Sequence, residues 1–327
     1  MPKLFIFPLI VWIVALVAMY LWGGAHAFFL AAVLTILEVT LSFDNAVVNA
    51  KILAKMDAKW QGRFLTWGIF IAVFLTRFVL PILIVAASVG MAPYAVAMLA
   101  AYDPAAYGHL LEGAHEAIAA FGGAFLVMVS LKYFFDTAKE VHWLHFIERH
   151  LSRWGRIEAI EIALTLVALL IIGFLIPEHA GTILSAGVIG IVLFIMMQGV
   201  ANAFTLEAAG AGSFALFIYL NILDAAFSLD GVVGAFAITD QLPIIVVGLG
   251  VGAYFVRSLT LYLVQHKTLD TLEYLEHGAH YAILGLALAM FASIFVKVPE
   301  AVTGLVGLVF VGAALWSSLK KRKQAHA

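Results

Sequence analysis

The 327-residue chain contains no cysteine, which excludes disulfides, thiolate metal ligands and cysteine nucleophiles at once. Charge is scarce as well: lysine, arginine, aspartate and glutamate together make up 12% of the residues, about half the share usual in a soluble domain. With 64% hydrophobic residues and a mean hydropathy of +1.06, the composition is that of a membrane protein. A net charge of −2 leaves no excess of basic residues for nucleic acid. Period-2 alternation is missing too, so a transmembrane barrel is excluded and the apolar runs read as helices, which satisfy their own backbone in lipid.

What is present is a series of apolar runs of about twenty residues each. They place spans near 4–22, 28–50, 63–87, 114–135, 158–176, 181–201, 213–238, 243–265, 278–296 and 299–318. The expected fold is all-α: a polytopic membrane protein of about ten transmembrane helices, forming one membrane domain over 1–327. The run from Leu4 to Trp22 precedes "GGAHA" at 23–27 and resembles a secretory signal, but it is longer than a signal core and is expected to stay as a span. Lys51, Lys55, Lys59 and Arg63 fall on one side with Lys132, Lys139, Arg149, Arg153, Arg156, Lys267 and "KKRK" at 320–323, while the other side keeps Lys297. The positive-inside rule then places both termini in the cytoplasm.

The longest polar stretch, "KEVHWLHFIERHLSRWGRIE" from Lys139, carries Leu144, Ile147, Leu151 and Trp154 at helical spacing. An amphipathic helix over 139–157, lying on the inner membrane surface, is expected. Its histidines His142, His145 and His150 fit a wet interfacial face; metal sensing is the sharper alternative.

The chain also repeats itself. "LEVTLSFDNAVVNAKIL" from Leu37 aligns with "LDAAFSLDGVVGAFAIT" from Leu223, matching Glu38 to Asp224, Ser42 to Ser228 and Asp44 to Asp230. Downstream in step, Arg77 meets Arg257, and "EGAHEAI" at 112–118 meets "HGAHYAI" at 277–283. Aliphatic spans resemble one another by composition alone, but a charge inside a span costs roughly 2.5–3.5 kcal/mol or more, so matched carboxylates and arginines are the informative letters. The first motif runs outward to inward and the second inward to outward, giving an inverted 3+3 helix repeat, an architecture of secondary transporters with the site near the midplane. Repeat one is expected over 28–137, peripheral helices over 158–201, repeat two over 213–296 and a final helix over 299–318.

Glu38, Asp44, Asn45, Asp224 and Asp230 are all oxygen donors, with Ser42, Asn221 and Ser228 in support. Such a set suits a hard divalent cation, Mn²⁺, Mg²⁺ or Ca²⁺, as the transported substrate. Four ionised carboxylates with Arg77 and Arg257 sum to −2, which one divalent cation neutralises; the arginines either approach the acids or snorkel and pair locally. On a straight helix, residues six apart sit about 120° apart, so Asp44 and Asp230 join the others only if the helix is overwound or broken near "SFDN" and "SLDG". Without a cation, crowded carboxylates take up protons, which suggests protons as coupling ion. His109, Glu112, His115 and Glu116 at one mouth, and Glu273, Glu276, His277 and His280 at the other, read as polar helix ends in water or as vestibule groups, His115 and His280 foremost.

"EVTLSFDNAVV" and "DAAFSLDGVV" resemble the paired signatures of the TerC family of bacterial membrane proteins, over roughly 28–300. "EGAHEAIAAFGGAFLVMVSLKYFFD" and "HWLHFIERHL" look like an uncharacterised branch of it. The resemblance implies a multi-pass protein of the bacterial inner membrane, associated with manganese efflux and tellurium resistance, with Glu38, Asp44, Asn45, Asp224 and Asp230 as metal-site residues. Gly231 stands where many relatives have Asn or Ser, which removes one ligand. The expectation is a divalent-cation exporter, Mn²⁺ favoured, and not an enzyme. Its rivals are a metal-supplying or assembly partner for exported proteins and, more remotely, an intramembrane diaspartyl protease, which needs two acids and not four.

Overall fold

The computed structural model describes residues 3–205, 209–239 and 241–325; at some helical positions within these ranges, Asp230 among them, the side chain lies outside the described ones. In chain order the helices are α1 (Ile6–Leu41), α2 (Phe43–Leu53), α3 (Ala58–Phe70), a π-helical segment (Ile71–Val79), α4 (Leu80–Val89), α5 (Pro93–Tyr102), α6 (Pro104–Gly113) and α7 (His115–Phe134). There follow α8 (His145–Trp154), α9 (Ile160–Leu175), α10 (Ala180–Thr205), α11 (Ala209–Ile238), α12 (Leu242–Gln265), α13 (Thr268–Thr271), α14 (Leu275–Ser293) and α15 (Glu300–Ala325). The described residues contain no strand. α1, α7, α12 and Ala180–Gly199 of α10 are long and apolar enough to cross a membrane, and α5, α9 and Ser213–Ser228 are shorter apolar helices. The chain is a helical membrane protein.

Local chemistry explains where these elements start, bend and stop. α1 runs through two expected spans and kinks between them at Gly23 and Gly24, the latter at φ +69°, a conformation glycine adopts without a Cβ penalty. At Ser42 the φ/ψ pair leaves helical values, −97° and 15°, so α1 ends and α2 begins one residue later. This is the break expected near "SFDN". The matching break near "SLDG" is absent: α11 is continuous from Ala209 to Ile238. Gly231 supplies proximity in place of a bend, since a Cβ there would stand 3.4 Å from Glu38 Oε2. Asp57 caps α3 by accepting from the Trp60 N–H, and the π-helical segment that follows places Arg77 on its last turn.

The chain divides into two compact units, Met1–His115 with Ala203–Tyr262, and Glu116–Asn202 with Leu263–Ala327. The first two helices of both sequence repeats fall in the first unit, and the third helix of each falls in the second. Within the first unit α12 lies directly on α1. A Cβ at Gly248 would stand 2.6 Å from Leu34 Cβ, and one at Gly252 would stand 2.5 Å from Glu38 Cβ. Small residues allow this approach, and the Thr35 hydroxyl donates to the Gly248 carbonyl at 3.2 Å across it. Within the second unit α14 packs on α15 in the same manner, with a Cβ at Gly278 only 2.4 Å from Ala314 Cβ.

Candidate functional site

The acidic motifs converge inside the first unit. Glu38, on the last turn of α1, is buried, and its Oε1 accepts from the Arg77 Nη2 and, at 3.1 Å, from the Ser42 hydroxyl. Arg77 Nη1 donates elsewhere, to the Ala72 carbonyl at 2.8 Å. The break at Ser42 turns the start of α2 so that Asn45, buried, donates from Nδ2 to Asp224 Oδ1 at 2.9 Å on α11. The other oxygen of Asp224 accepts from Arg257 Nη2 at 2.8 Å, and the same nitrogen reaches Asn221 Oδ1 at 3.3 Å. Each repeat therefore pairs the first acid of its motif with the arginine of its following helix, which decides the alternatives for both arginines in favour of pairing.

Arg257 is 2% exposed, and its guanidinium lies 4.3 Å over the Phe64 ring. Gly68 makes room for it, because a Cβ there would stand 2.6 Å from Arg257 Nη1. Neither Nε nor Nη1 of Arg257 has a hydrogen-bond acceptor. Three buried oxygens on the facing elements are likewise without a partner: Asn45 Oδ1, Asn49 Oδ1 and Ser228 Oγ. Asn45 and Asn49 are four apart on α2, and Asp224 and Ser228 four apart on α11, so each pair shares one helix face. Asp44 is buried at the start of α2. The Asp230 side chain lies outside the described ones. Among the described residues, no group of three or more His, Asp or Glu side chains is arranged to hold a metal ion. The arginines supply the physical reason, since Glu38 and Asp224 each point at a guanidinium.

A second charged cluster, in the second unit, was not legible as such. Glu148 of α8 is completely buried; its carboxylate accepts from the Trp143 and Leu144 N–H groups at 3.3 and 3.2 Å and contacts His277 Nδ1 at 2.8 Å. Lys139 Nζ stands 2.9 Å and His142 Nδ1 3.6 Å from Glu148 Oε2, and the Lys139 ammonium lies 3.9 Å over the Tyr133 ring. Burial pushes the Glu148 carboxyl up, but the His277 hydrogen bond and the Lys139 ammonium beside it outweigh burial and hold the group down at about 2. Burial pushes the Lys139 ammonium down despite the attraction of Glu148. The available signal was spacing: Glu148 sits four after Leu144 and three before Leu151, inside the apolar stripe and not opposite it.

The vestibule residues separate in kind. His109 and Glu112 are exposed, 3.9 Å apart, and His115 is half-buried. His277 and His280 are buried instead of lying in water, and His280 stacks on Tyr133 with ring centres 3.7 Å apart. His142 is half-buried, while His145 and His150 are exposed as a wet face requires. Glu116 pairs with His179 Nδ1 at 2.6 Å at the opposite end of the same unit's α7.

The family described as "Protein of unknown function (DUF475)" matches residues 43–325. No curated protein matches the chain. No solved structure matches it.

Proposed function

The chain belongs to the DUF475 family, whose description assigns no activity, and we propose a function from the site itself: a membrane transporter that exports a divalent cation, Mn²⁺ first, past the acids of α1, α2 and α11. The observation that supports it is the set of buried oxygens without partners, Asn45 Oδ1, Asn49 Oδ1 and Ser228 Oγ, on α2 and α11, the elements that carry Asp44 and Asp224. A buried polar atom left unsatisfied costs about 1–3 kcal/mol, and a hard cation satisfies carboxylate, amide and hydroxyl oxygens together. Charge argues for the same ligand, because the four motif acids less the two arginines leave −2. The resemblance of both motifs to the TerC family supports manganese, with Mg²⁺ and Ca²⁺ next in chemical fit.

In this reading about ten helices span the inner membrane with both termini cytoplasmic, and the two motifs belong to inverted 3+3 repeats that meet at the midplane. Protons serve as the returning ion, taken up by the carboxylates when the metal leaves. Metal uptake into inverted vesicles, run across Mn²⁺, Mg²⁺, Ca²⁺ and Zn²⁺, tests it. Mn²⁺ uptake should exceed that of the others, respond to an imposed proton gradient, and fall about tenfold or more in Asp44→Asn, because one buried anionic ligand is worth at least about 1.4 kcal/mol. Uptake indifferent to the gradient removes the coupling. If none of the four metals moves, export is wrong and the metal-supplying partner takes its place.

A further inference from the structure

We infer that Arg77 and Arg257 are tethered counter-cations, each holding a carboxylate that the transported cation takes over. The inference rests on the cation-transport reading above and adds to it the event by which the site opens. Both repeats carry the same device, an acid on the first helix and a guanidinium from the next, Glu38 with Arg77 and Asp224 with Arg257.

Neither contact is the bidentate fork that makes an arginine–carboxylate pair strong and geometrically fixed. Arg77 meets Glu38 Oε1 through Nη2, while its Nη1 donates to the Ala72 carbonyl. Arg257 touches Asp224 with Nη2 alone and leaves Nε and Nη1 without acceptors. Each guanidinium also already holds a neutral resting place that survives loss of the carboxylate: the Ala72 carbonyl for Arg77, and the Phe64 ring face with Asn221 Oδ1 for Arg257. Asn45 links α2 to α11, since its Nδ2 donates to Asp224 Oδ1, while its Oδ1 accepts no hydrogen bond.

The exchange balances in charge. With all four motif acids ionised, the acids and arginines sum to −2 before a divalent cation enters and to zero after it, because the arginines shift within the protein and do not leave. The arginines compete with the cargo for Glu38 and Asp224, so they lower its affinity and keep the site from retaining it.

The test uses the purified full-length chain in detergent, stripped with chelator, titrated with Mn²⁺ and followed by calorimetry and thermal melting. Arg77→Gln and Arg257→Gln should melt lower than the parent in chelator, bind Mn²⁺ at least about tenfold tighter, and gain more in melting temperature from Mn²⁺ than the parent does. The neutral pairs Glu38→Gln with Arg77→Gln, and Asp224→Asn with Arg257→Gln, should fold in chelator and bind Mn²⁺ at least about tenfold more weakly than the parent. Should the single variants fail to fold, the neutral pairs decide alone. Parental affinity in folded single variants, or in the neutral pairs, overturns the exchange and leaves cation binding standing. The exchange stands while export fails if the affinity shifts appear and the vesicles stay empty. Both fail together if no version binds Mn²⁺.

Discussion

Glu148 shows how much a single buried charge controls. Its carboxylate holds the Trp143 and Leu144 N–H groups at the start of α8 together with Lys139 and His277, which ties the amphipathic segment to α14. Its folded pKa is about 2, below the ordinary 4.5, so its contribution is fully present above about 4.5 and is lost as pH falls through about 2. The melting temperature of the parent should therefore drop between pH 4.5 and pH 2 through this group. Glu148→Gln should start lower at pH 7, by the roughly 3–5 kcal/mol that breaking a buried pair costs, and show a flatter acid limb. Equal slopes in the two proteins would remove the assignment. Residue type alone concealed this role, because a glutamate in a basic amphipathic stretch reads as solvated until burial is known.

At the scale of elements, the site depends on how closely α12 approaches α1. Gly252 leaves the space that Glu38 Cβ and Cγ fill, at 2.5 and 2.6 Å from where its own Cβ would stand. Gly252→Leu should separate the two helices and cost about 1–3 kcal/mol of overpacking, more than Gly252→Ala, read as a lower melting temperature. It should also weaken any Mn²⁺-dependent stabilisation, because Glu38 moves with α1. A parental melting curve for Gly252→Leu would mean that the helices are not held at this spacing. The two motifs also differ as elements. In the first, the Ser42 hydroxyl bonds to Glu38 and the helix breaks there; in the second, Ser228 Oγ has no partner and α11 runs straight through. Matching letters predicted matching geometry, and the two segments differ both in backbone and in the partner of the serine.

For the whole molecule, the absence of cysteine makes orientation directly measurable. Single cysteines at Lys297 and Lys323 should label from opposite sides of intact cells, Lys297→Cys with an impermeant maleimide from outside and Lys323→Cys only after permeabilisation. Labelling of both from one side would rule out the proposed inverted arrangement, and with it the proposed midplane site. The division into two units sets a further scale. The acidic motifs and their arginines belong to one, and the Glu148 cluster with the stacked Tyr133 and His280 belongs to the other.

By itself the sequence determined that the protein is helical and made for a membrane, because hydrophobic runs and the cost of a charge in lipid are local properties; it did not show that α1 joins two apolar runs or that α5 and α6 fill 93–113. It also located the Arg77 and Arg257 counterparts by repetition. Only the tertiary structure decided which oxygen each arginine holds, that Asn45 reaches Asp224, that α11 stays unbroken and that Glu148 is interior. Those outcomes depend on the approach of helices distant in the chain, and that approach follows from packing of glycine and side-chain surfaces that no local pattern encodes.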